Sequence, residues 1–497
     1  MGIVLKNSSA EVTKKFEPLF NPRSVAFVGA SNERSKWGFV ILNNLINGGY
    51  QGKLYPVNPR EEQILDLTVY KSIGDIPESP DLAVIIVPPL SVVSVLRECI
   101  DKGIRAGIVI TAGFAELGDQ GLGLQQEMVD VARSGGMILV GPNCNGIMNP
   151  WNKVHIQFPA FFPPPGPIAV VAQSGNVVDS MARQIMLRGF GCSRCVSSGN
   201  EADLHSEDYF EHLAEDPHTR VILAYIEGFK DGQRFFDVAR EVTRKKPLVI
   251  LKAGKTLAGA KAARSHTAAI AGSDAVFEAV CSQSGVIRAK SLGEMLNIGV
   301  SFLRQPLPQD HSVGIVTGGG GWGVLAADAC TDLGLDVVSL PEETISELDS
   351  FLPPWWSRGN PVDLVAGGLG EVMFKSVELL LACPSVDGTL VMSIMPVLRL
   401  PTLSPSADAR EKECWEENMV QAVVQVIGRF NTLAERYQKP VIVASEQMFA
   451  DAMSETRIIQ ALGQMNAVCY QMPHHAAVAL ASLVRYGKYL RTVRRRY

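Results

Sequence analysis

The sequence predicts an α/β protein built from doubly wound, mainly parallel sheets. Short apolar runs rich in β-branched residues recur along the chain and end in Gly, Pro, Ser or Asn. An amphipathic helix pattern follows each run, and apolar strands that alternate with helices indicate a parallel sheet covered on both faces. The 497 residues are enough for roughly three domains of about 150 residues each.

The first predicted domain spans residues 16–150 and is Rossmann-like. Its five strand candidates are SVAFVGAS, KLYPVNP, LAVIIVPP, AGIVITAG and MILVGPN. Ligands of such sheets bind at the carboxyl ends of the strands, and the polar residues of this domain gather there. The Pro-rich segment Trp151–Pro167 is predicted to be a connector that ends the domain.

Two further α/β domains are predicted over residues 167–306 and 311–497. The strand candidates of the second domain are PIAVVAQ, GCSRCVSS, VILAYIEG and PLVILKAG. Those of the third are SVGIVTGGGGWG, GLDVVSL, GTLVMSIM and KPVIVASE. The segment Pro396–Trp415 is predicted to be a loop or an insertion.

Charge and composition argue against several classes of partner. The net charge of −5 gives no overall basic field for a nucleic-acid backbone. The longest apolar stretches are too short to span a bilayer, and the first residues lack a secretory signal pattern. The nine scattered cysteines, including the pair Cys192 and Cys195, are expected to be free thiols in a reducing cytoplasm.

A turn of small residues, Gly29-Ala30-Ser31-Asn32, follows the first strand. Such a turn lets backbone N–H groups approach a phosphate at a helix N-terminus. The spacing differs from G-x-G-x-x-G, and no acidic residue closes the second strand, which ends near Asn58 and Arg60. A nucleotide-like ligand with phosphates is therefore favoured over a nicotinamide dinucleotide, with a tight turn that binds nothing as the alternative. Pro88 and Asn143 end later strands and are expected to rim the same crevice.

A second turn, Gln173-Ser174-Gly175-Asn176, follows an apolar strand and precedes a helix pattern. A Ser-Gly turn at a helix start presents unpaired N–H donors and a hydroxyl group. Gln173, Ser174, Gly175 and Asn176 are therefore candidates for holding a phosphate. A plain helix cap is the alternative.

His266 lies in the segment Arg264–Thr267, between two runs of small residues. A neutral imidazole is a competent nucleophile toward an acyl phosphate, although a lone histidine is more often structural. Such a ring needs a carboxylate that fixes its tautomer and stabilises its charged form. Glu227, at the end of the strand VILAYIEG, is the candidate, and a solvated loop charge is its alternative role.

Together these motifs resemble the nucleoside-diphosphate-forming acyl-CoA synthetases, over about residues 16–365. The resemblance is carried by FNPRSVAFVGAS, YPVNP, GPNCNGIMNP, VVAQSGNVV, SSGNEADLHSEDYFEHLAEDP, YIEGF and SHTAAIAGSDAVFEAVCSQSGVIR. It implies a CoA-binding Rossmann-like domain followed by two flavodoxin-like domains. It also implies that His266 is phosphorylated in turnover, that Glu227 contacts it, and that the Gln173–Asn176 turn holds the phosphate. The CoA contacts are expected at strand ends: Gly29, Ser31, Asn32, Asn58, Pro88 and Asn143.

The resemblance further implies an α subunit that interconverts acyl-CoA, ADP and phosphate with a carboxylic acid, CoA and ATP. No ATP-grasp pattern is evident in the sequence. ADP or ATP and Mg²⁺ are therefore expected mainly on an ATP-grasp β subunit, in an α2β2 assembly, and no metal site is predicted in this chain. A non-catalytic subunit that binds CoA or acyl-CoA is the alternative. Neither the acid nor the choice of ADP over GDP is fixed.

Overall fold

The computed structural model describes residues 9–256, 258–259, 273–365, 370–394, 408–445 and 452–495. The chain divides into two compact units, which are Met1–Met186 with Gly191–Lys290 and Leu187–Phe190 with Ser291–Tyr497. The first unit contains two large sheets and the second contains one, and helices connect their strands. The predicted α/β class with parallel sheets is confirmed.

The first sheet has five parallel strands. The strands of this region are β1 Ser24–Val28, β2 Lys53–Val57, β3 Gln63–Ile64, β4 Leu67–Thr68, β5 Leu82–Ile85, β6 Ala106–Val109 and β7 Ile138–Val140. Its helices are α1 Ser9–Phe20, α2 Trp37–Asn47, α3 Pro89–Asp101 and α4 Asp119–Ser134. The order is β2-β1-β5-β6-β7, while β3 and β4 form a separate antiparallel pair. The strand order reverses at β1, and a crevice at such a point accepts ligands in doubly wound sheets.

The second sheet has seven strands in the order β14-β13-β12-β10-β11-β8-β9. These strands are β8 Gly146–Asn149, β9 Val154–Ile156, β10 Pro165–Ala172, β11 Cys192–Ser197, β12 Val221–Ile226, β13 Leu248–Lys252 and β14 Ile287–Ala289. The accompanying helices are α5 Gly175–Leu187, α6 Ser206–Glu215, α7 Gly232–Lys245 and α8 Asp274–Ser284. Strands β10 to β14 pair in parallel, whereas β8 is antiparallel to both β11 and β9.

The prediction of a connector at Trp151–Pro167 is wrong in part. Strand β9 lies inside this segment, and β10 already begins at Pro165. Together with β8, strand β9 adds an antiparallel edge to the second sheet. Both strands are buried throughout and only three or four residues long, so neither shows a period by which the sequence could have revealed it.

The second unit holds the third sheet, in which β15 to β20 all pair in parallel. Its strands are β15 Ser312–Thr317, β16 Asp336–Val337, β17 Val362–Asp363, β18 Gly388–Met392, β19 Val441–Ala444 and β20 Cys469–Tyr470. Its helices are α9 Leu292–Arg304, α10 Gly320–Asp332, α11 Glu342–Asp349, α12 Glu371–Ala382, α13 Ala409–Tyr437, α14 Ala452–Gln464 and α15 Pro473–Arg494. The order is β16-β15-β18-β19-β20, with β17 also paired to β15.

The prediction of a loop or insertion at Pro396–Trp415 is wrong for its last residues, because α13 begins at Ala409. Asp408 caps this helix by accepting a hydrogen bond from the Glu411 N–H at 2.8 Å, and the Glu411 carboxylate accepts from the Asp408 N–H at 3.0 Å. This reciprocal cap is a D-x-x-E form of the capping box. Residues 396–407 lie outside the described part. Among the described residues, no helix is long and apolar enough to cross a membrane.

Candidate active site

Loops at the carboxyl ends of strands from both sheets of the first unit line one cleft of about 490 Å³. The first sheet contributes Val87 after β5, Thr111 after β6 and Asn143 after β7. The second sheet contributes the Gln173–Asn176 turn after β10 and Asn200 after β11. The part of the predicted crevice at Asn143 and the predicted phosphate turn of the second sheet therefore share one space.

An aromatic pair forms one wall of this cleft. The Trp37 and Phe158 rings stack with their centroids 4.2 Å apart, and both residues line the cleft. Trp37 is the first residue of α2 and is 51% exposed. A half-exposed aromatic wall is suited to the apolar part of a ligand whose charged part lies elsewhere.

Gly29 allows β1 to lie against the loop after β5. Its φ is +93°, and a Cβ at this position would stand 2.1 Å from the carbonyl oxygen of Ile86. A Cβ on Gly38 would likewise stand 2.1 Å from the carbonyl oxygen of Gly29. Only glycine satisfies both demands, so this turn brings the start of α2 close to the end of β1.

Other predicted CoA contacts hold the strand ends around this turn. Asn58 donates from Nδ2 to the Ala30 carbonyl at 2.8 Å, and Asn32 donates to the Gln63 carbonyl at 2.7 Å. The Ser31 hydroxyl accepts from the Glu33 N–H at 3.1 Å. These side chains thus shape the loop themselves.

Pro88 and Asn143 lie at neighbouring strand ends. Pro88 is the N-cap of α3 and has extended backbone. Asn143 has a φ of +55°, and its Nδ2 donates to Asn200 Oδ1 at 3.2 Å. Asn143 lines the shared cleft, whereas Pro88, Gly29, Ser31, Asn32 and Asn58 are not part of its lining.

The Gln173 side chain joins the ends of two strands. Its Oε1 accepts hydrogen bonds from the N–H of Glu227 at 2.6 Å and of Gly228 at 3.2 Å. Its Nε2 donates to the Gly228 carbonyl at 2.8 Å and to Glu201 Oε2 at 3.0 Å. With its amide oxygen and both amide protons in use, Gln173 positions other groups in this structure.

The remaining turn residues begin α5. The Ser174 carbonyl accepts from the Val178 N–H at 3.1 Å, so the first N–H groups of this helix have no partner within it. A Cβ on Gly175 would stand 2.9 Å from the Asn145 Cβ, so glycine is needed for this close approach. Asn176 is exposed and lines the cleft. The helix N-terminus therefore presents N–H donors and a partial positive charge to the cleft.

Asn145 connects the helix start to the aromatic wall. Its Nδ2 donates to Asp179 Oδ2, and its Oδ1 accepts from the Phe158 N–H at 3.2 Å. Burial raises the pKa of Asp179 to about 6, opposed by the Asn145 hydrogen bond and by Arg183. Asn145 is not among the site residues predicted from the sequence, although it stands directly after the strand-end motif Gly141-Pro142-Asn143-Cys144.

Glu201 is a second residue that the sequence analysis did not single out. It is 3% exposed, and its carboxylate accepts from Ser198 Oγ at 2.7 Å, from Ser206 Oγ at 2.5 Å and from Gln173. Lys230 Nζ donates to its backbone carbonyl at 2.5 Å. Burial raises the pKa of Glu201 against the effect of these hydrogen bonds.

Glu227 directly follows β12 and is only 6% exposed. Lys252, at the end of the adjacent strand β13, donates to the Glu227 carbonyl at 3.3 Å. Burial lowers the pKa of the Lys252 ammonium group. Glu227 is therefore a buried carboxylate at a strand end beside a lysine, not a solvated loop charge. His266 lies outside the described residues, so its distance from Glu227 is not part of the structure.

Among the described residues, no group of three or more His, Cys, Asp or Glu side chains is arranged to hold a metal ion. Both Cys192 and Cys195 are buried in β11 as free thiols. The chemistry of the cleft is that of backbone N–H groups, amides, hydroxyls and buried carboxylates.

Comparison with protein families defines the class. Residues 23–150 match a CoA binding domain, residues 165–302 match the succinyl-CoA ligase like flavodoxin domain, and residues 313–409 match the ligase-CoA domain. The chain is thus a CoA-ligase-type protein with a CoA-binding domain. It belongs to the family of ADP-forming acyl-CoA ligases, on the strength of the following relatives.

The α subunit of acetate–CoA ligase (ADP-forming) II from Pyrococcus furiosus is 38% identical over 470 residues, which are 94% of this chain and 97% of the relative. The 4-hydroxybutyrate–CoA ligase (ADP-forming) of Nitrosopumilus maritimus is 37% identical over 76% of this chain and 54% of its own length. A solved dinucleotide-forming acetyl-coenzyme A synthetase 1 of Ca. Korarchaeum cryptofilum, in complex with phosphate and ADP, has a TM-score of 0.81. It is 31% identical, and the match covers 96% of this chain and 98% of that chain.

Proposed function

We propose that this chain is the catalytic α subunit of an ADP-forming acyl-CoA synthetase. The observation that carries the proposal is the shared cleft, in which strand ends of the CoA-binding sheet face the helix N-terminus at Gln173–Asn176. A thioester and a phosphate bound there would lie side by side. Relatives that span nearly the whole chain are named as ligase α subunits, which favours catalysis over the regulatory alternative.

The proposed reaction has three steps. A phosphate oxygen attacks the thioester carbonyl and the C–S bond breaks. CoA departs as the thiolate, and an acyl phosphate is formed. An imidazole nitrogen of His266 then attacks phosphorus, and the bond from phosphorus to the acyl oxygen breaks to release the carboxylate. Finally a terminal oxygen of ADP attacks the phosphohistidine, the P–N bond breaks, and ATP and the free histidine result.

Each residue has a role in this scheme. The backbone N–H groups at Ser174, Gly175 and Asn176 would hold the phosphate, because a helix N-terminus favours an anion. Glu227 would orient the imidazole and stabilise its charged form. Gln173 holds the Glu227 backbone and acts as a positioning residue. The loop at Gly29 would receive the phosphates of CoA, and the pantetheine arm would pass the wall of Trp37 and Phe158.

The partner is proposed to be an ATP-grasp β subunit in an α2β2 assembly. ADP or ATP and Mg²⁺ would bind there, and Mg²⁺ would neutralise the phosphates during the final transfer. Of two relatives, one is named for acetate and the other for 4-hydroxybutyrate. The proposal therefore covers acyl-CoA as a class and commits to no single acid.

Phosphoryl labelling of the chain tests this function. The purified chain is incubated with the partner subunit, Mg²⁺ and ATP that carries a radioactive γ-phosphate. The expected result is an acid-labile label on the chain, which His266→Ala abolishes together with acyl-CoA synthesis while leaving CoA binding intact. His311→Ala, which alters a half-exposed histidine beside Asp310, is the control and should label normally. Normal labelling and synthesis in His266→Ala would refute the proposal.

A further inference from the structure

The second unit contains a partly open cavity of about 330 Å³ that the proposed reaction does not use. It lies at the carboxyl end of the edge strand β20, between the N-terminal turns of α9 and α15 and the side of α14. Ligands of open α/β sheets bind beyond the carboxyl ends of strands, and the volume is that of a small-molecule site. Its residues do not overlap those of the cleft in the first unit.

Arg188 places a partly buried cation in the wall of this cavity. Among the described residues, its Nη1 is buried and has no hydrogen-bond partner, and no carboxylate of the described residues forms an ion pair with it. Burial lowers the pKa of this guanidinium, and of the described groups Tyr470 opposes that effect. Partial burial of a charge that no described carboxylate neutralises is unfavourable, so this guanidinium favours an anion as a ligand.

Two helix N-termini add to the positive character of the cavity. Ser291 and Gly293, at the start of α9, and His474 and His475, at the start of α15, are among the lining residues. Helix N-termini carry partial positive charge and favour anions. Burial lowers the pKa of His475, so its ring is neutral at pH 7 and can donate or accept a hydrogen bond. The wall also contains the acidic residue Glu294, which takes part in another interaction. Its negative charge raises the pKa of His475 and so opposes the effect of burial.

The rest of the wall combines the polar residues Asn297 and Gln471 with a larger number of apolar ones. It includes Phe190, Val300, Leu462, Val468 and Val478. Among the described residues that line the cavity, Arg188 is the one Lys or Arg. A single guanidinium matches a monoanion better than a phosphate dianion, which would bring a second charge into the site. A planar guanidinium also pairs with a carboxylate through two parallel hydrogen bonds.

We propose that this cavity binds a small organic carboxylate, with its carboxylate on Arg188 and its apolar tail against Phe190, Leu462 and Val478. This site takes no part in the proposed reaction. It can therefore be tested even if the proposed function is wrong. An acid bound here would occupy the second unit without entering the cleft of the first unit. Such a ligand stabilises the folded chain by mass action.

The test titrates the full chain with benzoate and hexanoate, by calorimetry and by thermal unfolding. Both acids should bind and raise the melting temperature, whereas benzamide and hexanamide, which lack the charge, should not. Arg188→Gln should weaken acid binding at least about 10-fold. The ligand-free Arg188→Gln chain should be no less stable than the parent, because the variant removes a partly buried charge that no described carboxylate neutralises.

A second variant blocks the cavity while keeping Arg188. A Cβ on Gly293 would meet no atom within 4 Å, so Gly293→Phe should fold and close the entrance, with the same loss of acid binding. Gly232→Phe is the matched control, because this glycine also begins a helix and a Cβ there would also meet open space. The control should bind both acids as the parent does.

Three results would overturn the proposal. The first is acid binding that survives both Arg188→Gln and Gly293→Phe, which would place the acid elsewhere. The second is a stabilising effect of inorganic phosphate that depends on Arg188 and has no counterpart with either acid. The third is a parent chain that binds neither acid. None of these results bears on the labelling of His266, so the two proposals fail independently.

Discussion

The side-chain oxygen of Gln173 accepts a hydrogen bond from the backbone N–H of Glu227 at 2.6 Å. The same amide also donates to Glu201 and to Gly228. One side chain therefore fixes Glu227, the residue after β12, relative to the turn that precedes α5. The position of Glu227, the proposed partner of His266, thus depends on Gln173. The sequence motif of Gln173 predicts phosphate binding and gives no sign of this positioning role.

Gln173→Ala should lower turnover without altering the affinity for CoA. Loss of the amide frees the backbone at Glu227 and Gly228, and a misplacement of about 1 Å in a reacting group can cost about 100-fold in rate. The measurement is acid-dependent nucleotide turnover in the reconstituted complex, with CoA affinity from calorimetry. Gln126→Ala, which removes an exposed contact to Asp130, is the control. Equal turnover in both variants would show that the amide does not position Glu227.

Glu227→Gln should slow the transfer of phosphate to the chain. The substitution keeps the size of the side chain but removes the negative charge that would stabilise a charged imidazole. The rate of radioactive labelling under single-turnover conditions is the readout. Glu127→Gln removes a surface carboxylate that pairs with Arg97 and serves as the control. If Glu227→Gln labels as fast as the parent, Glu227 has no part in the mechanism.

Gly29→Ala should reduce both stability and CoA binding. The new Cβ would stand 2.1 Å from the Ile86 carbonyl oxygen in a backbone with a φ of +93°, and strain of this kind costs about 1–3 kcal/mol. Denaturant unfolding and CoA titration measure the two effects. Gly123→Ala, inside α4 where a Cβ meets open space, should instead stabilise by about 0.5–1 kcal/mol. A Gly29→Ala chain as stable as the parent would contradict the observed packing.

Parts of the site could be predicted from sequence because the chemistry is local. The turn at Gly29 follows a strand and precedes a helix, and both the positive φ and the close packing at Gly29 explain why that turn is made of small residues. In the same way, the Ser-Gly turn after an apolar strand predicts a helix that starts next to Ser174, and α5 begins at Gly175. These features require only a strand, a turn and a helix that are adjacent in the chain.

The roles of Gln173, Asn145 and Glu201 could not be predicted in this way. Gln173 bonds to Glu201 and Gly228, which are 28 and 55 positions away in sequence. Asn145 reaches Asp179, 34 positions away. Such pairings depend on the order in which strands assemble in the sheet, and no periodicity or local motif carries that order. For the same reason, the local sequence after β11 does not reveal that the Glu201 carboxylate is buried.

The stability of the first unit should depend on the protonation of His212. This ring packs against both Phe16 and Phe20, with centroid distances of 4.7 and 5.0 Å. Burial lowers its pKa from 6.5 to about 4. Between pH 6.5 and about 4, His212 binds a proton in the unfolded chain but stays neutral in the folded chain. The free energy of unfolding therefore falls as the pH drops through this range.

His212→Phe should remove this part of the pH dependence, which amounts to at most about 3 kcal/mol. The phenyl ring keeps the stacking and cannot be protonated, so the variant should be at least as stable as the parent at pH 7 and should gain on it at pH 5. Denaturant unfolding at several pH values measures the difference. A residual slope is expected from His155, whose pKa burial also lowers to about 4. His311→Phe, which alters a half-exposed ring, is the control. Parallel stability curves for parent and His212→Phe between pH 7 and pH 4 would mean that His212 does not titrate differently on unfolding.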